Sequence, residues 1–486
     1  MKNKNKKSNI IINFLYSSIY QILLIILPLI TSPYVSRVLG AKGLGIYSYT
    51  YAIANCFALV GMLGVNNYGN RTIAAVQGNR EKRSKAFWNI LSLQASVTAI
   101  VATLYLCFIL FICSPEYRTM ATIHLITVLT SMIDINWFFF GMEKFRITVT
   151  RNIIIKLLNV TAIFLFVRKP EDVWIYTLIM TGGNFISCLV VWPFLKREVD
   201  FVRPTFHNII SHFKQTAVLF IPVIAVTLYK KMDKVMLGAM SPLNENGFYE
   251  NTEKIVNIPM GLITALGTVM LPRMSNLFAS GNKKETRKYL QFSMEFVCFM
   301  SCALAFGMAA VSKEFAPVFF GKEFSNINTL ITMIAPTVVF ISWANVIRTQ
   351  YLIPLHYDRP YVISVWLGAV VNLVVNYLLI PKYGAMGAVI GTVFAEGVVM
   401  LYQTIFVRNM LPIGFYIKRG IYFIFAGAVM YAAVRMVGDR GGKNLKTLVI
   451  EIIAGGLTYI ICCIPYIWIL HKSEIKDFLK NKKSVS

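Results

Sequence analysis

The feature that most constrains this chain is a succession of apolar runs, each long enough for a helix to cross a hydrocarbon core, which takes about 20 residues. From the N-terminus they fall at 10–36, 44–66, 86–112, 119–140, 147–167, 173–194, 215–239, 248–271, 288–311, 326–351, 361–381, 384–407, 416–437 and 445–470. In lipid the backbone must satisfy its own hydrogen bonds, and runs about twice as long as a barrel strand do so only as helices. The sequence therefore predicts an all-α polytopic membrane protein of about 14 transmembrane helices. A content of 56% apolar and 14% charged residues agrees with that reading and with no soluble domain of ordinary composition.

The charged residues carry the topology. The basic stretch Met1–Asn9 leads into an apolar run too long for a signal peptide, with no small-residue cleavage site after it, and reads as a retained first span. An even number of spans puts both termini on one side. Lys and Arg concentrate in the connectors of that side, so both termini are expected to be cytoplasmic. The connector after the thirteenth span, with Arg435, Arg440, Lys443 and Lys446, runs against the trend. The formal charge of +26 is spread between apolar blocks rather than gathered on one face, which argues against a nucleic-acid partner.

Other classes lack their signatures. Five histidines are dispersed, and eight cysteines lie in or beside apolar runs without metal-ligand spacing, so they read as small apolar fillers. No metal or cofactor is expected. There is no phosphate-cradling glycine loop and no nucleophile elbow. The external connectors are too short to carry a catalytic domain, so an enzyme is not expected.

A weak internal repeat organises the spans. Leu39-Gly40-Ala41, Gly45-Ile46-Tyr47 and Ile53 recur as Leu237-Gly238-Ala239, Gly247-Phe248-Tyr249 and Ile255. The repeat superposes span 1 on span 7. That offset predicts two six-helix lobes of the same orientation, residues 1–200 and 201–410, with two additional spans and a basic cytoplasmic tail over 411–486.

The candidate site is the stretch Tyr229-Lys230-Lys231-Met232-Asp233-Lys234, followed by Glu253-Lys254. Ionisable groups at this depth cost roughly 2.5 to 3.5 kcal/mol each on insertion scales and tend to face a watery or protein-lined interior. Lys230, Asp233 and Lys234 share a helical face, with Lys231 about a quadrant round. Asp233 offsets one ammonium and Glu253 another, which leaves a positive surplus in the outer half of span 7. Arg37 holds the equivalent position in the first lobe. The alternative, that Lys234 and Arg37 snorkel to outer headgroups, stays open. Lys156 in span 5 is a second candidate cavity cation. Glu396 in span 12, near the midplane, is a candidate coupling or counter-ion group beside Asp233 and Glu253. Asn372 and Asn376 form a polar stripe that either faces the lumen or holds helices together. Surplus positive charge suits an anionic, amphipathic cargo, with phosphate or pyrophosphate the natural fit.

Five runs carry a resemblance: Leu63-Gly64-Val65-Asn66-Asn67-Tyr68-Gly69-Asn70-Arg71, Asn136-Trp137-Phe138-Phe139-Phe140-Gly141-Met142-Glu143-Lys144-Phe145, Asp233-Lys234-Val235-Met236-Leu237-Gly238, Val269-Met270-Leu271-Pro272-Arg273, and Leu379-Ile380-Pro381-Lys382-Tyr383-Gly384-Ala385-Met386-Gly387-Ala388. Over about residues 8–470 the chain resembles the polysaccharide transporter family. That family holds O-antigen and capsule-repeat flippases within the multidrug/oligosaccharidyl-lipid/polysaccharide exporter superfamily. The resemblance implies alternating access in a bacterial cytoplasmic membrane, moving an undecaprenyl-pyrophosphate-linked oligosaccharide from the inner to the outer leaflet for surface polysaccharide assembly. It also implies ion-gradient coupling, and a polysaccharide polymerase and other assembly proteins as partners. Asp233, Lys234 and Glu396 match the family pattern; Lys230 and Lys231 rest on depth alone. Two other functions remain to be weighed. A cation-coupled multidrug antiporter should line its lumen with acids rather than lysines, and a membrane polymerase should carry a large external loop.

Overall fold

The computed structural model describes residues 2–483; Pro222 and Tyr229 have side chains outside those described. Seventeen α-helices follow one another without a strand among the described residues. They begin with α1 (Lys2–Met62), α2 (Val65–Ala75), α3 (Arg80–Phe111), α4 (Pro115–Ile133), α5 (Asn136–Gly141), α6 (Phe145–Phe166), α7 (Val173–Leu189) and α8 (Trp192–Leu195). The second half comprises α9 (Phe206–Met240), α10 (Leu243–Ala279), α11 (Lys283–Phe320), α12 (Ile327–Ile334), α13 (Pro336–Ile347), α14 (Asp358–Tyr383), α15 (Ala385–Val407), α16 (Ile413–Gly438) and α17 (Leu445–Lys483). The chain is an all-α polytopic membrane protein.

Among the described residues, twelve helical stretches are long and apolar enough to cross a membrane. The first, Ile26–Ala75, is 50 residues long and contains the end of the expected span 1 and all of span 2. No loop separates those spans. A single residue does: Gly40 at φ 67°, ψ 179°, a conformation open to glycine but strained for other residues, breaks the helix. The expected seventh span lies in α9, of 35 residues. Span 10 is divided at Pro336, whose ring cannot continue the hydrogen-bond ladder; α12 ends at Ile334 and α13 begins on the proline, followed by a π-helical turn over Arg348–Leu352.

The chain forms two compact units. One contains the residues up to Asn251 together with Asn372–Ala388, and the other Thr252–Val371 with the chain from Val389 onward. The boundary falls within α10, α14 and α15.

In the first unit, α1 packs against α3, α4, α6 and α9. One core gathers Phe87, Trp137, Phe138 and Phe139, all fully buried, around the aromatic run of α5. Trp137 donates its indole N–H to Gln94 Oε1 at 3.0 Å, which satisfies the one polar atom of that ring. A second core joins Tyr49, Ile53, Val101, Tyr105 and Val128. The turn Tyr383-Gly384-Ala385 is explained by Glu245: its carboxylate accepts the Ala385 N–H at 2.9 Å and so caps the start of α15. Gly384, at φ 54°, allows the approach, since a Cβ there would lie 2.6 Å from Glu245 Oε2.

In the second unit, α11 packs against α12, α13, α16 and α17. Some of its polar side chains pair between helices: Trp343 donates to Thr404 at 2.9 Å and Gln403 to Ser364 at 2.9 Å. All eight cysteines are free thiols, five of them buried.

Candidate functional site

The two copies of the internal repeat meet in the first unit. A Cβ on Gly45 would fall 1.7 Å from the Leu243 carbonyl oxygen, and one on Gly247 would fall 2.0 Å from that of Ala41. Gly238 lies under the Tyr49 ring, 2.1 Å from where its Cβ would be. Backbones therefore touch where α1 breaks and where α9 gives way to α10. Close approach of this kind needs small residues on both sides, which is why the repeat is written in Gly and Ala.

Next to this crossing sits a buried polar cluster. Asp233 and Lys234 are 4% and 6% exposed, so neither reaches solvent. Lys234 Nζ donates to Glu250 Oε2 at 2.5 Å, and Ser48 Oγ donates to the same oxygen at 2.7 Å. Asp233 Oδ2 accepts the Tyr249 hydroxyl at 2.5 Å; its Oδ1 accepts amide N–H groups from Asn372 at 2.8 Å and Asn376 at 2.5 Å. Asn246 donates to the Lys234 carbonyl at 2.6 Å, and Asn251 to Ser36 Oγ at 2.9 Å. Burying a carboxylate is tolerable only when several donors replace its water. Asp233 has three.

An aromatic group flanks the cluster. Tyr47 packs on Tyr51 at 5.7 Å, His124 at 5.5 Å and Tyr176 at 4.7 Å between ring centroids. Lys231 Nζ lies 5.6 Å from the Tyr51 centroid, within the range of a cation–π attraction.

The residues expected from sequence are thus distributed as follows. Asp233 and Lys234 come together, Lys231 is half-buried against Tyr51, and Lys230 is exposed on α9. Arg37 is exposed on α1 and Lys156 half-buried on α6, both in the same unit. Glu253, Lys254 and Glu396 are half-buried and belong to the second unit. The Asn372–Asn376 stripe holds helices together through Asp233. Sequence reasoning missed Glu250: the second acid of the cluster was expected to be Glu253, one turn further along α10, and Glu250 is the acid that holds Lys234. The available signal was Ser48, which the repeat sets against Glu250, just as it sets Tyr47 against Tyr249.

With Glu250 counted, the acids beside Lys230, Lys231 and Lys234 on α9 are Asp233 and Glu250, and Lys230 and Lys231 are the less buried of those three lysines. Lys234 is committed to an ion pair.

Residues 10–278, more than half of the chain, match the family described as polysaccharide biosynthesis protein. The chain belongs to the polysaccharide biosynthesis protein family. Within reach of this family, it is 23% identical over 404 residues to a protein of Escherichia coli (strain K12) named "Putative O-antigen transporter", covering 82% of this chain and 96% of that one. It is 25% identical over 225 residues to the lipid II flippase MurJ of Bacillus subtilis (strain 168), covering 43% and 41%. Among solved structures, a lipid II flippase MurJ in an inward closed conformation superposes with a TM-score of 0.74 at 16% identity, covering 96% of this chain and 100% of that one. At that identity the likeness establishes the fold. This member of the polysaccharide biosynthesis protein family therefore shares its architecture, with the Asp233–Lys234 cluster beside the glycine crossing.

Proposed function

We propose that this protein is a flippase for a lipid-linked oligosaccharide, a transporter with no catalytic step. In finer detail, the cargo is an undecaprenyl-pyrophosphate-linked repeat unit, carried from the inner to the outer leaflet of a bacterial cytoplasmic membrane by alternating access and coupled to an ion gradient. The observation that carries this reading is family membership, joined to a likeness that spans nearly the whole of a relative named for O-antigen transport.

The site adds a chemical reason. A pyrophosphate needs several donors and surplus positive charge in a low dielectric. Lys230 and Lys231, on the helix that carries the buried acid-base cluster, supply such charge, with Arg37 and Lys156 on the same unit and Lys254 beyond it. Asp233, Glu253 and Glu396 are the proposed coupling or counter-ion groups. The three-part division at 1–200, 201–410 and 411–486, cytoplasmic termini, and docking of a polymerase or other assembly proteins belong to the same proposal.

The test is reconstitution of the full chain into liposomes loaded with a fluorescent polyprenyl-pyrophosphate oligosaccharide, scoring its arrival in the opposite leaflet. Protein-dependent movement supports the proposal. Absence of movement, with efflux of cationic drugs by the same vesicles, would overturn it in favour of an antiporter.

A further inference from the structure

The second unit contains a charge arrangement that does not balance. Arg435, near the end of α16, donates to Glu314 on α11 through both terminal nitrogens, Nη1 to Oε2 at 2.7 Å and Nη2 to Oε1 at 3.2 Å. This is the two-pronged geometry in which guanidinium and carboxylate satisfy one another. The same Nη1 also donates to the Ala310 carbonyl at 2.8 Å, and Nη2 to Asp439 Oδ1 at 2.9 Å. Glu451, on the second turn of α17, is left with the long end of the arrangement: its Oε1 accepts from Nη1 at 3.3 Å.

Glu451 is nonetheless the most deeply placed of the acids. It is 0% exposed, Glu314 is 2% exposed, and the Glu451 Oε2 atom is buried with no hydrogen-bond partner among the described residues. The approach is deliberate in the backbone. A Cβ on Gly438 would lie 2.0 Å from Glu451 Oε1 and 3.1 Å from each Arg435 terminal nitrogen, so only glycine lets the three groups meet.

The charges can be followed outward. Lys313, half exposed, donates to Asp439 Oδ1 at 3.0 Å, and Asp439 also holds Arg435. The Lys313 ammonium and then the Arg435 guanidinium keep the Asp439 carboxyl below the usual carboxylate range, so Asp439 is ionised. Lys313 and Arg435 thus answer Asp439 and Glu314. Arg440, Lys443 and Lys446, in the turn between α16 and α17 and at the start of α17, are exposed. Among the described residues no second buried cation beside Arg435 answers Glu451. An uncompensated buried carboxylate is disfavoured by several kcal/mol, and two carboxylates that share one guanidinium disfavour joint ionisation.

We propose that Glu451 is a proton-binding site: a proton shared between the Glu314 and Glu451 carboxyls makes the triad with Arg435 neutral, and its occupancy governs how firmly α17 is held to α11 and α16. The exposed Lys313–Asp439 pair marks the end from which the proton arrives. When the proton leaves, the buried triad carries a net negative charge, and the helix junction loosens. The site is separate from the α9 cluster and does not rest on the flippase reading.

The test is infrared spectroscopy of the full-length protein in nanodiscs near neutral pH, following the carbonyl stretch of protonated carboxylic acids. The wild-type protein shows such a band, and Glu451→Gln loses it. Glu314→Gln also loses it, because Glu451 then pairs with Arg435 and ionises. A band retained in either variant, or absent from the wild type, overturns the proposal. The wild-type protein gives a second measurement independent of either variant: as pH is raised the band disappears and the melting temperature falls with it. A melting temperature unchanged while the band disappears removes the role of the proton at the helix junction.

Discussion

Lys234 on α9 and Glu250 on α10, sixteen residues apart in sequence, are joined by a 2.5 Å hydrogen bond between groups whose side chains are only 8% and 13% exposed. Ser48 on α1 donates to the same carboxylate, so a single acid ties together the two copies of the repeat. Breaking a buried pair from one side strands the other charge, which costs about 3–5 kcal/mol. Glu250→Ala is therefore expected to lower the melting temperature and the folded yield sharply. The double variant Glu250→Gln with Lys234→Met, which removes both charges, is expected to recover most of that loss, since a neutral pair has no uncompensated ion to bury. Thermal melts of the full-length protein in detergent decide this. Equal loss in single and double variants would show that the pair is not what holds the crossing.

How much of this was legible beforehand varies with the kind of interaction. The fold was: the apolar runs are dictated by the hydrocarbon thickness, and α3, α6, α14, α15 and α16 fall where their runs put them. Burial of Asp233 was also legible, because a carboxylate in mid-run has few places to go, whereas for Lys234 snorkelling stayed open until its pairing with Glu250 was seen. Their partners were not. Glu250 and Glu253 lie within one helical turn, and depth along a helix does not say which face points at α9. The seam between Gly45 and Gly247 was visible as a similarity of two segments, yet a similarity says nothing of contact. That the two copies touch depends on the break at Gly40, a single dihedral that apolar patterning does not record. Arg435 was read as one of four basic residues in a connector that runs against the trend; its capture by Glu314 takes it out of the loop charges, while Arg440, Lys443 and Lys446 stay exposed.

The glycine crossing makes a graded prediction. At Gly45 and Gly247 an added Cβ meets backbone, at 1.7 Å and 2.0 Å, and backbone in two packed helices cannot give way locally. At Gly238 the obstacle is the Tyr49 ring, a side chain that can rotate. Gly45→Ala and Gly247→Ala are expected to reduce folded protein severely, each by more than the ~1–3 kcal/mol usual for overpacking, while Gly238→Ala stays near that range. Fluorescence-detected size exclusion of tagged variants measures the order. If Gly238→Ala were the worst of the three, the seam would not be governed by backbone approach.

Asp439 gives a pH dependence whose sign follows from its partners. Lys313, then Arg435, hold its carboxyl below the ordinary range in the folded protein. A carboxylate depressed on folding contributes stability above its unfolded pKa, near 3.9, and loses it as pH falls through the lower, folded value. The difference in melting temperature between wild type and Asp439→Asn is therefore expected to be present at neutral pH and to shrink on acidification below about pH 4. The pair with Lys313 is exposed, so the neutral-pH difference is small and falls further with added salt. A difference that grew with acid would reverse the assignment of Asp439 as an ionised group.

The lysines of α9 separate binding from structure. Lys234 is locked to Glu250, so Lys234→Ala is expected to fail by loss of folded protein, as its partner's variant does. Lys230 is exposed and Lys231 is half-buried with its ammonium 5.6 Å from the Tyr51 ring, so each substitution is expected to cost the fold less than Lys234→Ala. If these two carry the surplus charge that meets a pyrophosphate, Lys230→Ala and Lys231→Ala lower the liposome flipping rate by roughly tenfold per lost charge contact of about 1.4 kcal/mol, at wild-type abundance. Arginine at either position keeps the charge and restores most of the rate; glutamine keeps the length without the charge and does not. Flipping at the wild-type rate in both alanine variants would return Lys230 and Lys231 to ordinary solvated side chains and move the search for the anion site to Arg37 and Lys156 in the same unit.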